Sequence, residues 1–203
     1  MEHIVNQILL RGQLVSLPEI SHENHGKRFF RFCLDVPRLS GAIDRINVVA
    51  EEALLNRMDL SAGFMICVTG QIRSHNVRKD GARHLMIFVF ATAIAADEGE
   101  PCNEVILEGP LCKEPIYRRT PLGREICDIM LAVPRSFHRA DYLPCILWGR
   151  TAQQASVCHI RQPIRIYGRL QSRNYTKNTD DGPIEKTAYE ISALSAEFPD
   201  GEG

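Results

Sequence analysis

Two segments of the chain alternate apolar and polar residues with a period of two, which predicts β-strands. In residues 142–149, one face of the predicted strand is apolar: Leu143, Cys145 and Leu147. The opposite face begins and ends with a large aromatic residue, Tyr142 and Trp148. Taken alone, an aromatic at each end of one face favours a core aromatic beside a rim aromatic, and it is the neighbouring sequence that indicates a binding surface.

Residues 163–175 alternate again. The predicted inner face is small or aliphatic: Ile164, Ile166, Gly168 and Leu170. The outer face is cationic, polar and aromatic: Arg165, Tyr167, Arg169, Gln171, Arg173 and, at its end, Tyr175. Guanidinium groups pair with phosphates and stack on bases, and aromatic rings stack with unpaired bases, so this stripe favours single-stranded nucleic acid. A solvated strand also carries arginine but rarely tyrosine in the same stripe.

The chain contains an internal repeat with an offset of about 97 residues. Identical residues recur along it: Asn6 and Asn103, Gly12 and Gly109, Leu14 and Leu111, Asp44 and Asp141, and, after one insertion, Gly70 and Gly168, Ser74 and Ser172. The repeat predicts two copies of one domain of about 95 residues. We assign residues 1–98 to the first copy, 99–102 to a linker, 103–198 to the second copy and 199–203 to a short tail.

Both copies show the same order of predicted elements. The first copy has strands at 8–15, 30–36, 46–50, 65–73 and 85–95, with a helix at 51–57 after the third. The second has strands at 105–111, 127–133, 142–148, 164–172 and 187–194, with a helix at 151–157. An Asp-Gly turn joins the last two strands of each copy, at 80–81 and 181–182. This order predicts an all-β protein of two tandem OB-folds, which are five-stranded Greek-key barrels that bind oligonucleotides.

The composition of the chain limits the classes of protein to which it can belong. The 203 residues have a formal net charge of -1, and the cations are 19 arginines and 5 lysines. The seven cysteines lack metal-binding spacing and fall mostly at apolar strand positions, which favours reduced core thiols in a cytosolic protein. The sequence shows no signal peptide and no apolar run of about 18 residues, so we expect no membrane association. We also expect no cofactor and no metal.

The second copy resembles the bacterial single-stranded DNA-binding proteins. The similarity lies in Asn103-x-Val-Ile-Leu-x-Gly-x-Leu111, Glu114-Pro-x-Tyr117, Thr120-Pro-x-Gly123, Cys145-Ile-Leu-Trp-Gly149 and the segment 167–175. It covers nearly all of residues 103–198, with motif order and spacing both in agreement. The first copy resembles the family more weakly, through the repeat.

The resemblance implies that bases stack on four aromatic residues: Phe137, Tyr142, Trp148 and Tyr175. The remaining predicted nucleic-acid-binding residues are Arg135, Arg165, Tyr167, Arg169, Arg173 and Lys177. None of the four equivalent first-copy positions is aromatic: they fall near Ser40 and at Arg45, Glu51 and Val77. We therefore expect the second copy to supply most of the affinity. Candidate phosphate contacts in the first copy are Arg45, Arg73, His75, Arg78, Lys79 and Arg83, with a merely solvated hairpin as the alternative.

The predicted function is non-enzymatic binding of single-stranded DNA in replication, recombination or repair, in the cytoplasm and associated with the nucleoid. Family members commonly present four OB-folds, so the resemblance implies a homodimer here, and replication or repair proteins are candidate partners. One alternative is a primosome-type or mobile-element accessory protein that mainly binds other proteins at DNA. Another is an enzyme, for which Asp180 and Asp181 are the only close acidic pair near the predicted face.

Overall fold

The computed structural model describes residues 5–56, 58–79, 82–179 and 182–199. The first copy contains β1 (Asn6–Leu14), β2 (Glu19–Asn24), β3 (Lys27–Pro37), β4 (Ile43–Glu51), α1 (Glu52–Leu55), β5 (Met65–Lys79) and β6 (Ala82–Ala96). The second contains β7 (Cys102–Pro110), β8 (Ile116–Arg119), β9 (Glu125–Arg135), β10 (Arg139–Trp148), α2 (Gly149–Ser156), β11 (Pro163–Thr179) and β12 (Gly182–Glu197).

Strand pairing confirms the two tandem OB-folds. In the first copy β3 pairs with β4, β4 runs parallel to β6, β6 pairs with β5, and β1 pairs with both β5 and β3 to close the barrel. The second copy repeats this order, with β10 parallel to β12 and a single bridge between Leu111 and Leu131 at the closing edge. The short strands β2 and β8 extend the β3 and β9 hairpins and were not predicted as separate strands.

Alternation decides which side chains enter each barrel. The four inner residues predicted for β9 are buried: Cys127, Ile129, Leu131 and Val133. On β3, Phe32, Leu34 and Val36 are buried, and Phe30 packs partly buried at the end of the core. Phe29 is also buried, although alternation places it on the outer face, because its ring stacks on His22 at 4.8 Å between centroids. An outer-face aromatic is therefore covered by another ring.

The observed elements differ in length from the predicted ones. Strands β5, β6, β11 and β12 run several residues beyond the predicted bounds, because each pair continues as a two-stranded hairpin past its barrel. The first helix is one turn, Glu52–Leu55, and the second begins at Gly149. The predicted helix end Arg57 and the turn residues Asp80, Gly81 and Asp181 lie outside the described residues.

The repeated glycines stand where two strands cross too closely for a side chain. A Cβ on Gly168 would lie 2.3 Å from the carbonyl oxygen of Ser192, and one on Gly70 would lie 2.3 Å from that of Phe90. Both glycines lie beside a register shift in the β11–β12 or β5–β6 pairing. The sheet can therefore bend into a barrel at these points only without a side chain.

The two copies are joined by antiparallel pairing of β1 with β7, from Asn6 opposite Leu107 to Arg11 opposite Cys102. Ile8 pairs with Val105, which is its own equivalent in the repeat, so a local two-fold axis passes between them. The twelve strands consequently form one continuous sheet. Each copy contributes the same edge to the joint, as the subunits of a symmetric dimer would.

Hydrogen bonds to two buried aspartates cross this joint, one in each direction. Asp141 is fully buried, and its carboxylate accepts a hydrogen bond from the backbone N–H of Ser74 at 2.6 Å and one from Arg73 at 3.1 Å. Its equivalent Asp44 accepts one from the backbone N–H of Ser172 at 2.7 Å. Each buried carboxylate thus takes donors from a serine backbone of the other copy and from an arginine of its own copy, Arg38 or Arg135, which accounts for the repeated aspartates and serines.

A third repeated residue satisfies the backbone within each copy. The side chain of Asn6 donates to the carbonyl of Ile72 at 2.8 Å and accepts from its N–H at 2.8 Å. Asn103 makes the same two bonds with Leu170, at 2.7 and 2.9 Å. Each amide therefore replaces two sheet hydrogen bonds where a strand would otherwise end unpaired.

The segment between β6 and β7 is tied to the first barrel. Arg11 forms an ion pair with Asp97 at 2.7 Å and donates to the carbonyl of Glu100 at 2.9 Å. The backbone N–H of Gly99 and the Arg11 guanidinium lower the pKa of Asp97 from its ordinary value. The domain boundaries that we assigned around this segment stay a prediction.

The cysteine prediction is correct for some residues and wrong for others. All seven thiols are free, and Cys127, Cys145 and Cys158 are buried. Burial raises the pKa of Cys127 to about 11, so that thiol is protonated and unreactive at neutral pH. Cys33 and Cys67 are only half-buried because they alternate to the outer face of the first copy, so they are not core thiols.

None of the helices in the described residues is long and apolar enough to cross a membrane.

We predict that Asp141→Ala destabilises the whole protein by about 3 kcal/mol, because it leaves the Ser74 N–H without its acceptor and removes the carboxylate that pairs with the largely buried Arg73 guanidinium. The free energy of unfolding in urea measures this change. The control is Asp128→Ala, which removes an exposed ion pair with Arg118 and should cost less than about 1 kcal/mol. Equal losses in the two variants would contradict the importance of the crossing carboxylates.

Candidate nucleic-acid interface

The predicted outer face of β10 is the solvent-facing one. Leu143, Cys145 and Leu147 are buried in the barrel, whereas Tyr142 is 47% exposed and Trp148 is 38% exposed. Between the two aromatics, Ile146 is buried although it lies on their face. The aromatic side chains therefore stand at the two ends of an apolar stripe on the outside of the sheet.

Trp148 is held at the point where β10 meets α2. Its indole N–H donates to the hydroxyl of Ser192 on β12 at 3.3 Å, and its carbonyl accepts a bond from the Thr151 hydroxyl at 2.8 Å. The indole is thus fixed at one edge while the ring remains partly open to solvent. A ring with restricted rotation loses little entropy when a base stacks on it.

Phe137 occupies the tip of the β9–β10 hairpin and is 91% exposed. Phe137 and His138 both have left-handed backbone conformations, with φ of 62° and 53°. Two consecutive positive φ values form the tight turn that suits the twist of a hairpin, but glycine or asparagine usually supplies them. A bulky aromatic in this conformation, fully open to water, marks the tip as a candidate functional position.

Strand register places the end of β11 on the same face. Ile146 pairs with Ser192, which in turn pairs with Arg169. Every second residue of β11 from Arg169 onward lies on the same side, and this series reaches Tyr175, which pairs with Lys186. Paired residues direct their side chains to the same side of a sheet, so Tyr175, which is 40% exposed, shares the face of Tyr142 and Trp148. The structure thus brings the predicted aromatics of β10 and β11 to one side of one sheet.

The predicted cations of this face differ in how they are held. Arg165 forms ion pairs with Glu108 at 2.6 Å and Glu197 at 3.9 Å, and the bond to Glu108, followed by the contact with Tyr167, raises the pKa of its guanidinium. Arg169 has its Nε buried without a hydrogen-bond partner. Arg173 is exposed, and Arg135 makes a long contact of 3.4 Å with buried Asp141.

Two predicted binding residues of β11 remain, Tyr167 and Lys177. Tyr167 is half-buried on the outer face of β11, next to the strand crossing at Gly168. The side chain of Lys177 lies outside the described part of the structure.

The predicted phosphate contacts of the first copy are partly engaged by carboxylates. Arg45 makes a two-bond ion pair with Asp35, at 2.8 Å for each bond, which raises the pKa of the guanidinium. Arg73 bonds Gln71 and Asp141 and so takes part in the joint between the copies. His75 and Arg78 are exposed on β5. The side chains of Lys79 and Arg83 lie outside the described residues.

Sequence reasoning missed the aromatic side chains on the outer face of β6. Phe90 pairs with Gln71 and Phe88 pairs with Arg73, so both rings lie on the outer face of the first copy and are half-buried. Alternation with the buried Ile87 and Val89 was the signal that could have found them. They escaped notice because they do not align with the four aromatic positions of the second copy.

The described residues were also compared with the requirements of a metal site. No group of three or more His, Cys, Asp or Glu side chains is placed to hold a metal ion in that part of the chain. The acidic pair Asp180 and Asp181, which was weighed for an enzyme, lies outside it.

Comparison with known proteins identifies relatives of this chain. The model of the Single-strand binding protein family matches residues 102–199. Single-stranded DNA-binding protein B of Bacillus subtilis is 38% identical over 80 residues, which cover 36% of this chain and 71% of that protein. The single-stranded DNA-binding protein of Oceanobacillus iheyensis is 32% identical over 110 residues, covering 50% of this chain and 65% of the relative.

A solved structure matches the whole chain, including both copies and their arrangement. The crystal structure of a deletion mutant of the single-stranded DNA binding protein from Thermus aquaticus superposes with a TM-score of 0.80 at 25% identity, covering 100% of this chain and 98% of that one. By sequence in the second copy and by fold throughout, the chain therefore belongs to the single-strand binding protein family.

Proposed function

We propose that the protein binds single-stranded DNA without strong sequence preference and protects unwound DNA during replication, recombination or repair. The observation that carries the proposal is the set of exposed aromatic side chains on the outer side of the second copy: Phe137, Tyr142, Trp148 and Tyr175. The names of the relatives agree with this ligand. Every base has a π-face, so stacking on such rings tolerates any sequence.

Stacking supplies most of the affinity in this proposal. Each base stacked on an aromatic residue contributes about 1–3 kcal/mol, so four rings account for a tight complex before any phosphate contact is counted. The remaining binding residues in the proposal are Arg135, Arg165, Tyr167, Arg169, Arg173 and Lys177. Because Arg165 already neutralises two glutamates, we expect its phosphate contact to be weaker than that of Arg173.

We propose in addition that two chains associate as a homodimer that presents four OB-folds to one DNA strand. The support is the family resemblance, together with the symmetric strand pairing that joins the two copies within one chain. Such an assembly would act in the cytoplasm on nucleoid DNA and alongside replication or repair proteins.

We predict that Tyr142→Leu and Tyr175→Leu each weaken binding of oligo-dT by about 1–3 kcal/mol. Quenching of Trp148, which is the sole tryptophan, reports binding at the proposed site. The control is Tyr117→Leu on β8, where an equally exposed tyrosine pairs with inward-facing Cys127 and its hydroxyl donates to Glu125. Absence of saturable quenching in the unmodified protein would refute the proposed function.

We predict that Arg173→Gln lowers the salt dependence of binding, because an exposed guanidinium that contacts phosphate releases counterions. The slope of log K against log salt should fall by about 0.7 in magnitude, as expected for one phosphate contact on a single strand. Arg165→Gln on the same strand should change the slope less, since its charge is already paired. A slope that Arg173→Gln leaves unchanged would remove Arg173 from the interface.

We predict that light scattering of the full chain gives twice the mass of one chain at micromolar concentration. A single-chain mass that persists as the concentration rises would refute the homodimer, while leaving the DNA-binding proposal intact.

A further inference from the structure

The continuous sheet of this protein has two free edges, and they belong to the short strands β2 and β8. The strands are ordered from β2 at one end of the sheet to β8 at the other, and no described strand pairs with the outer side of either. Every residue of both strands is exposed. A free edge presents backbone N–H and C=O groups to which another strand can pair, so each end of the sheet is a candidate docking surface.

The two edges carry charges of opposite sign. β2 contains two acids, Glu19 and Glu23, and no lysine or arginine. β8 contains two cations, Arg118 and Arg119, and no acid. Charged residues on an edge keep identical edges apart, because like charges on neighbouring strands repel. This repulsion opposes pairing of β2 with β2 and of β8 with β8, whereas a β2 edge that meets a β8 edge brings opposite charges together.

Behind the β2 edge, the sign of the charge alternates from strand to strand. On β3, Arg28 lies opposite Glu23 and forms an ion pair with Glu52 of α1 on its other side. Arg31, also on β3, contacts Glu19 at 3.5 Å. The order from the interior to the edge is therefore acid, base, acid. A strand that continues this order beyond β2 must be basic.

The β8 edge supplies that basic strand. Arg118 forms an ion pair with Asp128 of β9 at 2.8 Å, and Arg119 forms one with Glu125 of β9 at 2.9 Å. Base thus lies outside acid at this end of the sheet. When β8 of one chain stands beside β2 of another, the alternation continues across the junction and each charged strand has neighbours of opposite sign.

Both faces of such a junction can hold a charge pair. Glu19 and Glu23 lie opposite β3 residues that are three positions apart, so the two acids point to opposite faces of the sheet. Arg118 and Arg119 are consecutive residues of a strand and also point to opposite faces. Each face therefore receives one acid from β2 and one arginine from β8, whichever way the two strands run.

Each edge also exposes one large aliphatic side chain. Ile20 on β2 is 63% exposed, and Ile116 on β8 is 62% exposed. Pairing of the edges covers apolar surface that is otherwise in water. The contact is nevertheless short, because β8 has four residues and β2 has a register shift between Ile20 and His22. A contact of this size gives a weak association.

We infer that the outer edge of β2 on one chain binds the outer edge of β8 on a second copy of this chain, so that chains associate head to tail. The two edges are different surfaces at opposite ends of one sheet, so the contact is heterologous. It generates an open row of chains unless the rotation between neighbours closes a ring. This contact differs from the symmetric homodimer proposed above and requires no DNA, so it goes beyond the proposed function and does not depend on it.

Sedimentation velocity of the full chain without DNA tests the contact. Because a short contact is weak, the protein concentration is raised to about 500 µM. Charges act over about 30 Å at about 10 mM salt and over about 3 Å at about 1 M salt. We expect species heavier than two chains at low salt, whose share rises with concentration and falls at high salt. A mass that never exceeds two chains at low salt would overturn the inference.

Two charge-reversal variants at exposed positions make the test specific. Glu19→Lys/Glu23→Lys makes both edges basic, and Arg118→Glu/Arg119→Glu makes both edges acidic. Each variant alone should lose the heavier species, because every edge then repels every other. An equimolar mixture of the two should regain them, since a basic edge of one variant meets an acidic edge of the other. Recovery in the mixture also shows that both variants keep their fold.

The matched control separates edge pairing from general attraction between oppositely charged variants. Lys113→Glu/Arg124→Glu makes the same change in net charge at exposed positions that flank β8 and keeps both arginines of that strand. Mixed with Glu19→Lys/Glu23→Lys, it should not regain the heavier species. Recovery in this control mixture, or heavier species in either charge-reversal variant alone, would contradict the β2–β8 contact. Quenching of Trp148 by oligo-dT is measured separately, so loss of the contact leaves the DNA-binding proposal standing.

Discussion

The hydrogen bonds that cross between the copies set the geometry of everything else on this molecule. Asp141 accepts the backbone N–H of Ser74, and Asp44 accepts that of Ser172, each from deep within the protein. A buried carboxylate without donors would cost several kcal/mol, so each aspartate fixes the strand that passes over it. Because Tyr142 follows Asp141 directly, the same contact positions the first aromatic residue of the candidate interface. The stability of the joint and the position of the site thus depend on one interaction.

The two copies share a scaffold but differ in the side chains on their outer faces. The barrels need the repeated glycines, asparagines and aspartates, and these residues recur in both copies with the same contacts. The outer faces carry no such constraint, because their side chains meet solvent and not the core. The second copy places its aromatic side chains on the rim, at Phe137, Tyr142, Trp148 and Tyr175. The first places Phe88 and Phe90 along the middle of its last strand.

Ion pairing within the protein decides which arginines can contact phosphates. The net charge is near zero because 24 Lys and Arg residues stand against 25 Asp and Glu residues, and many arginines are paired with carboxylates, as Arg45 is with Asp35 and Arg165 with Glu108. An exposed arginine such as Arg173 is available to phosphates without breaking an ion pair. Aromatic stacking therefore matters more to the proposed binding than the number of arginines suggests.

The sequence by itself determined the fold class, the two copies and the alternating faces of β10 and β11. It could do so because strand period, turn residues and the repeat are local or linear signals, and the core residues such as Leu143 and Ile166 obey them. The family resemblance indicated the four aromatic positions of the second copy; alternation accounts for the outward side chains of Tyr142 and Trp148, whereas Phe137 lies in the hairpin turn.

Only the tertiary structure decided how the copies meet and which side chains share a surface. The repeat marked Asp44, Asp141, Ser74 and Ser172 as important, but their contacts join residues some 67 and 128 positions apart. No linear pattern encodes such a distance, because it depends on how β1 pairs with β7. For the same reason the ion pair between Arg165 and Glu108 becomes visible only once the strands are in register.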